Sequence, residues 1–209
     1  MDPLDDVVRL TADYAAEFHR ALDDRPVRAR ASFEELRDAF GVPLPEESSE
    51  DVQVVAELIA AAEPGVIGSQ TGRYFGFVTG SALPASVGAD WLATIWDQNG
   101  FSVVTSPAAA AVEDVAAGWL AELLGLPEGV SSGFVTGAQG ANTTALAAAR
   151  QHVLTAAGWD VAHEGLNGAP RIRVLAGAER HVTIDRSLRL LGLGTGSLEV
   201  VAADGQGRM

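Results

Sequence analysis

The sequence contains no cysteine and no lysine, and its fourteen basic residues are all arginine. Without cysteine there are no disulfides, no thiolate nucleophiles and no Cys-ligated metal sites. Without lysine, no side chain of this chain offers the primary amine that forms a Schiff base with a carbonyl compound. Arginine cannot replace lysine in that chemistry, because a guanidinium stays protonated and delocalised.

Positive charge and long apolar runs are also scarce. The formal net charge of −14 argues against a general nucleic-acid surface or an anionic-membrane surface, because both require clustered cations. No apolar run approaches the length of a membrane span, and the first residues lack the basic and apolar regions of a signal peptide. We therefore expect a cytoplasmic protein that binds neither nucleic acid nor a membrane.

Several common site motifs are absent. The four histidines lie at positions 19, 152, 163 and 181 and show no metal-ligand spacing, so we expect no metal. No Gly-Lys pair of a phosphate-binding P-loop is present, no dinucleotide Gly-x-Gly-x-x-Gly follows a strand, and the serines lack the nucleophile-elbow pattern of hydrolases.

Apolar periodicity predicts the secondary structure. Helices are expected over residues 4–22, 32–42, 49–62, 84–96, 106–124 and 144–157, and strands over residues 132–136, 172–176 and 198–202. The alternation in the second half indicates a parallel or mixed α/β sheet. The helix over 106–124 carries an apolar stripe that we expect to be buried, formed by Val112, Val115, Trp119, Leu120 and Leu123. Helical spacing likewise favours core positions for Trp91, Trp96 and Trp119.

Residues 133–142, Gly-Phe-Val-Thr-Gly-Ala-Gln-Gly-Ala-Asn, predict a strand that breaks on small residues and opens into a helix. The first turn of a helix has unpaired N–H groups and partial positive charge, so such a turn can bind an anion such as phosphate. Tight packing of strand against helix is the alternative explanation of the small residues.

A second candidate site surrounds His181. The predicted strand over 172–176 leads to it, and a short helix follows, with Thr183 as the expected N-cap and Gly192 as the expected stop. His181 would then lie at the carboxyl edge of the sheet, where ligands of open α/β sheets bind. A structural histidine that bonds to a backbone carbonyl is the alternative.

Together with residues 72–77 and 91–99, these segments resemble the N-terminal half of the group II pyridoxal-phosphate-dependent decarboxylases, the aromatic-L-amino-acid and glutamate decarboxylase family. The resemblance runs from about residue 30 to the last residue. It implies an α/β fold, namely part of the large domain of a PLP-dependent transferase of the aspartate aminotransferase type, preceded by a helical segment. Residues 1–70 would embrace a dimer partner, and residues 71–209 would form an incomplete PLP-binding domain.

The resemblance also implies site residues. Gly137, Ala138 and Gln139 match the turn that binds the cofactor phosphate, and His181 matches the catalytic histidine that stacks on the pyridine ring. The substrate pocket near the dimer interface would be lined by Phe77, Val78, Asn99 and Phe101. Many members have a hydroxyl residue and Glu where this chain has Gln139 and Gly140, so phosphate binding would depend more on backbone N–H groups and on the Gln139 amide.

The implied function is decarboxylation of an amino acid by a homodimer with pyridoxal 5′-phosphate as cofactor. The family's Schiff-base Lys, and the Asp that pairs with the pyridinium nitrogen, lie beyond the matched region, so we expect this chain to be a portion of a longer enzyme and inactive alone. Two alternatives remain open: an aminotransferase or other pyridoxal phosphate enzyme of the same fold, and a non-catalytic module that binds a phosphorylated ligand or assembles with a partner.

Overall fold

A computed structural model describes residues 2–209. The chain divides into two compact units, of which the first ends at Asp97 and the second runs from Gln98 to Met209. The first unit contains helices α1 (Pro3–Arg20), α2 (Phe33–Phe40), α3 (Asp51–Ala62) and α4 (Pro84–Ile95), with a 3₁₀ turn at Glu63–Gly65. The predicted helices of this region are confirmed to within a few residues at their ends.

Local sequence signals explain where these helices begin. Asp2 caps α1, since its Oδ1 accepts the Leu4 N–H at 3.0 Å. Ser32 and Glu35 form the predicted capping box: Ser32 Oγ accepts the Glu35 N–H at 3.2 Å, and Glu35 Oε2 accepts the Ser32 N–H at 2.8 Å. Each cap gives partners to backbone donors that the helix itself leaves unpaired.

Glu63 connects separate segments of the first unit. Its Oε2 accepts the Tyr14 hydroxyl at 2.6 Å, and its Oε1 accepts Arg25 Nη1 at 2.7 Å and Arg30 Nη2 at 3.3 Å. The bond from Arg25 lowers the pKa of the Glu63 carboxyl, whereas burial and the bond to Glu63 raise the pKa of Tyr14. The Arg25 guanidinium also lies 4.3 Å above the centroid of the Phe18 ring.

The second unit contains α5 (Pro107–Leu123), α6 (Gly137–Ala156), the short α7 (Val161–Glu164), β1 (Val174–Gly177), α8 (Val182–Leu190), a 3₁₀ turn (Thr195–Ser197) and β2 (Leu198–Val201). The strands β1 and β2 pair in parallel, with Val174 opposite Leu198. The helix α8 lies in the crossover between them, as parallel strands require. Gly192, at φ +72°, follows the end of α8 as predicted.

The strand predicted over 132–136 does not form. Residues 131–135 have no regular structure, and the side chains of Phe134 and Val135 are 52% and 43% exposed. A strand is stable only when a neighbour satisfies its backbone groups, and within residues 2–209 the only paired strands are β1 and β2. The helix expected over 144–157 instead begins at Gly137, directly at the predicted anion-binding turn.

The predicted burial of the apolar stripes is wrong. The stripe of α5 is exposed, at 69% for Val112, 67% for Trp119 and 81% for Leu123. On α4 and just after it, Ile95 and Trp96 are 56% and 58% exposed. The apolar spacing is present, but no extensive packing partner for either helix lies within the described residues.

The exposed area of the chain supports the same conclusion. The total is 15710 Å², whereas a compact protein of this mass exposes about 9,200 Å² and two separate units of half the mass about 11,000 Å². The buried apolar side chains of the described residues are Leu22, Leu154, Val161 and Leu188. Much of the apolar surface of this chain is therefore available to pack against something outside it.

No helix within residues 2–209 combines the length and the apolar character needed to cross a bilayer.

Candidate functional site

The N-terminus of α6 has the geometry of an anion site. Thr136 is the N-cap, but no side chain caps the helix, and the first turn carries no acidic residue. Gly137 adopts φ +74°, and a Cβ built there would meet nothing within 4 Å. Gly137 and Ala138 are both exposed. The turn therefore presents backbone donors and the positive end of a 20-residue helix to whatever approaches it.

Gln139 points away from this opening and toward α8. Its amide nitrogen Nε2 lies 2.8 Å from Ser187 Oγ, 3.3 Å from the Thr183 carbonyl oxygen and 3.3 Å from Thr143 Oγ1. Its Oε1 is buried with no hydrogen-bond partner. The side-chain amide thus fixes α6 against α8, and the backbone N–H groups are the donors that remain directed to the opening.

His181 lies at the start of α8, four positions after β1 ends. The predicted N-cap Thr183 is wrong, because the helix begins at Val182 and His181 itself is the cap. Nδ1 of His181 accepts the Thr183 N–H at 3.3 Å, as an Asn or Asp cap oxygen would. Thr183 is instead a donor in the first turn, and the His181 residue stays exposed.

The charged neighbours of His181 pair with each other. Arg180 donates from Nη2 to Asp185 Oδ1 at 3.0 Å, and both side chains are 22% exposed. The carboxylate in the first turn of α8 is therefore bound by a guanidinium.

A polar cluster joins the two helix starts. Asn142 Nδ2 donates to Thr183 Oγ1 at 2.9 Å, and Thr143 Oγ1 lies 2.9 Å from Ser187 Oγ. Thr183 and Ser187 are buried, at 7% and 0% exposure. These bonds hold the start of α6 against the start of α8, where His181 lies.

Sequence reasoning missed this cluster, although its spacing was visible. Residues 139, 142 and 143 are three and four positions apart on α6, and residues 183 and 187 are four apart on α8. Polar side chains at such spacing lie on one helical face, and two such faces can pair.

The predicted substrate-pocket residues belong to two units. In the first unit, Phe77 and Val78 adopt φ +55° and +51° and are almost fully exposed. In the second unit, Asn99 donates its N–H to Ser106 Oγ at 3.0 Å and accepts the Phe101 N–H through Oδ1 at 3.1 Å. A left-handed conformation at a β-branched residue such as Val78 is strained, and such strain is found most often at functional sites.

No group of three or more acidic or histidine side chains converges in a way that could hold a metal, as far as residues 2–209 are concerned.

The pyridoxal-dependent decarboxylase conserved domain matches residues 34–209. The chain therefore belongs to the pyridoxal-dependent decarboxylase family, and the resemblance noted in the sequence is confirmed. The cofactor expected from that resemblance, pyridoxal 5′-phosphate, is confirmed as the cofactor of this family.

Two curated relatives illustrate the match. Tryptophan decarboxylase 1 of Oryza sativa subsp. japonica is 27% identical over 191 residues, which are 86% of this chain and 36% of the relative. Phenylacetaldehyde synthase of Arabidopsis thaliana is 26% identical over 201 residues, which are 93% of this chain and 40% of the relative. The chain thus spans well under half the length of these curated relatives.

Solved structures confirm the fold. Oryza sativa TDC, crystallised with PLP and tryptamine, superimposes with a TM-score of 0.84 at 23% identity and covers 98% of this chain and 42% of its own. Mouse CSAD superimposes with a TM-score of 0.84 at 22% identity, over 99% of this chain and 42% of its own. The predicted fold, part of a PLP-dependent transferase domain preceded by helices, is therefore confirmed.

Proposed function

We propose that this chain is the N-terminal portion of a pyridoxal-phosphate-dependent amino acid decarboxylase, which acts as a cytoplasmic homodimer. One observation carries the proposal: the uncapped, exposed start of α6 is tied by hydrogen bonds to the start of α8, where His181 is exposed. An anion site and an aromatic base beside each other are what a phosphorylated pyridine cofactor requires.

The residues fit the phosphate end of such a cofactor. Gly137, Ala138 and Gln139 would bind it through their backbone N–H groups, because the Gln139 side chain is engaged with α8. The absence of an acidic residue from the first turn of α6 leaves the helix dipole unopposed. An added Cβ at Gly137 would clash with nothing, but its φ of +74° favours glycine there.

When bound, pyridoxal phosphate supplies an electron sink for the bond pair that remains as carbon dioxide leaves an amino acid. His181 would stack on its ring and take part in proton transfer. Phe77, Val78, Asn99 and Phe101 would line the substrate pocket, and residues 1–70 would embrace the second subunit.

The chain cannot supply every group that this chemistry needs. It contains no lysine, so the amine that holds the cofactor must come from sequence outside these 209 residues. We therefore expect no turnover from this chain alone. The portion of the relatives that it does not match is where such a lysine would lie.

A second function deserves a test because of one relative. Phenylacetaldehyde synthase is named for an aldehyde product, and its similarity to this chain is comparable to that of tryptophan decarboxylase 1. Another pyridoxal phosphate reaction on the same scaffold therefore stays open, aminotransfer included.

The first experiment is to read the gene beyond the codon for Met209. A frame that continues into an Asp and then a Lys supports the proposal, and the complete protein would be assayed with aromatic and acidic amino acids for carbon dioxide, amine and aldehyde. A stop codon directly after Met209 would exclude catalysis by this chain and would favour a phosphate-ligand-binding or assembly module.

The complete protein also allows a test of His181. His181→Ala should lower turnover far more than stability, because the residue is exposed and its loss removes one cap hydrogen bond of α8, which is worth about 1 kcal/mol. Equal, small effects on both would remove His181 from the site.

A further inference from the structure

Nδ1 of the His181 ring lies within hydrogen-bond distance of two polar groups of Thr183. It lies 3.3 Å from the Thr183 backbone nitrogen, which can only donate, and 3.0 Å from Thr183 Oγ1. A nitrogen that accepts a hydrogen bond must carry a lone pair. In the neutral ring the proton therefore belongs on Nε2.

The Thr183 hydroxyl is oriented from its other side. Asn142 Nδ2 lies 2.9 Å from Thr183 Oγ1, and an amide nitrogen donates but does not accept. Thr183 Oγ1 therefore accepts from Asn142, and its own proton is free to point at Nδ1 of His181. Thr183 is only 7% exposed, so water competes little for these bonds.

The chain of bonds starts next to the anion-binding turn. Asn142 lies three residues after Gln139 on α6, whereas Thr183 lies in the first turn of α8 and His181 caps that helix. Of the two carboxylates nearest to His181 in sequence, Glu179 is exposed to solvent, and Asp185 is bound by Arg180 at 3.0 Å. An amide and a hydroxyl, rather than a carboxylate, are thus the groups aligned with Nδ1.

We propose that Asn142 and Thr183 are positioning residues that hold the His181 ring in its Nε2–H form and fix its angle relative to the start of α6. The role toward a bound cofactor rests on the proposed function, whereas the tautomer itself does not. Through this pair, the helix that would bind the phosphate also sets which nitrogen of His181 carries the proton toward the open side.

The test is nitrogen-15 NMR of the imidazole groups of the 209-residue chain at about pH 8, where an unperturbed imidazole is neutral. His181→Asn identifies the His181 signals among the four histidines. Wild type and Thr183→Ser should show the Nε2–H form. Thr183→Val should lower the population ratio of the Nε2–H form to the Nδ1–H form about five-fold, which corresponds to the net free energy of one hydrogen bond.

Two further variants separate positioning from packing. Asn142→Ala, at a half-buried position, should produce a shift in the same direction, because the Thr183 hydroxyl can then turn and accept from Nδ1–H. Ser187→Ala is the matched control: it removes a buried hydroxyl one turn further along α8 that contacts Gln139 and Thr143 but not His181. It should leave the His181 tautomer unchanged.

A tautomer ratio that is the same in Thr183→Val, Asn142→Ala and wild type would overturn the proposal, as would equal shifts in those variants and in Ser187→Ala. In the complete enzyme, Thr183→Val should lower kcat more than it raises KM, and Thr183→Ser should restore kcat. Failure of that enzyme to bind pyridoxal phosphate would instead overturn the proposed function and leave the NMR result standing.

Discussion

The helices α5 and α6 follow each other in the same unit, yet they are packed in opposite ways. α5 carries a stripe of large apolar residues, and that stripe is mostly exposed, with Leu123 at 81%. α6 presents small and polar side chains such as Asn142 and Thr143, and it packs closely on α8. α5, the helix with the stronger apolar pattern, is therefore the one whose apolar face is more exposed.

The difference shows what a periodic pattern can and cannot specify. The spacing of apolar residues determines which face of a helix should be buried. Burial also requires a partner surface of matching shape. α8 provides that surface for α6 with the buried Ser187 and Leu188, both at 0% exposure. The partner of the α5 stripe is not found among residues 2–209.

The largest effect should come from the core beneath α8. Leu188→Ala would remove a fully buried side chain, and such substitutions lower the free energy of unfolding by about 2–5 kcal/mol. Leu123→Ala on the exposed stripe should change it by less than about 0.5 kcal/mol. Urea denaturation followed by circular dichroism compares the two. Similar losses would mean that the α5 stripe is covered in solution.

The next effect concerns the polar contact between α6 and α8. Gln139→Glu would place a carboxylate oxygen where Nε2 now donates to Ser187 Oγ and the Thr183 carbonyl, at 2.8 and 3.3 Å. Loss of a donor that leaves its buried partner unpaired lowers the free energy of unfolding by about 1–3 kcal/mol. The matched control is Gln151→Glu, at an exposed position of the same helix, which should be nearly neutral. Equal stability of both variants would show that the polar contact is dispensable.

A smaller effect is expected in the first unit, where the Glu63 carboxylate joins separate segments. Glu63→Gln should lower the free energy of unfolding by about 1–2 kcal/mol at neutral pH, because it removes the charge bound by Arg25. The folded pKa of Glu63 is lowered, so its contribution is complete above the unfolded value of about 4.3 and disappears as pH falls through the folded pKa.

Denaturation curves between neutral pH and about pH 3 check this prediction. Wild type should lose stability on acidification more steeply than Glu63→Gln, and the two should converge at the acid end. Glu57→Gln, an exposed position of α3, is the control. A constant difference between wild type and Glu63→Gln at all pH values would contradict the ionic role.

The sequence was sufficient for the helices because their signals are local. The box of Ser32 and Glu35 and the glycine at 192 specify helix ends within a few residues, and the structure has both. A strand over 132–136 would need a neighbouring strand to pair with, and the local sequence pattern does not encode that neighbour. The strand does not form. The prediction that Trp119 is buried is wrong for the same reason, because an apolar side chain does not by itself provide a surface to pack against.

At the candidate site, the sequence predicts that Gly137 and His181 lie at the starts of two helices, because turn-forming residues mark both places. The capping role of His181 could not be read from the sequence, because histidine is not among the usual N-cap residues. The orientation of Gln139 depends on Ser187, 48 residues later, and only the folded chain brings them together.

The smallest effect on the stability of the chain should come from the α5 stripe itself. Trp119→Gln combined with Leu123→Gln should change the free energy of unfolding by less than about 0.5 kcal/mol, because both side chains are mostly exposed. The exposed stripe predicts that the isolated chain self-associates. In the double variant this association, measured by sedimentation velocity, should weaken about tenfold or more, since burying one large apolar side chain contributes about 1.5–3 kcal/mol. Glu122→Gln, at an exposed position of the same helix, is the control. An unchanged sedimentation profile in the double variant would show that the α5 stripe is not an association surface, and the contrast between α5 and α6 would then concern exposure alone.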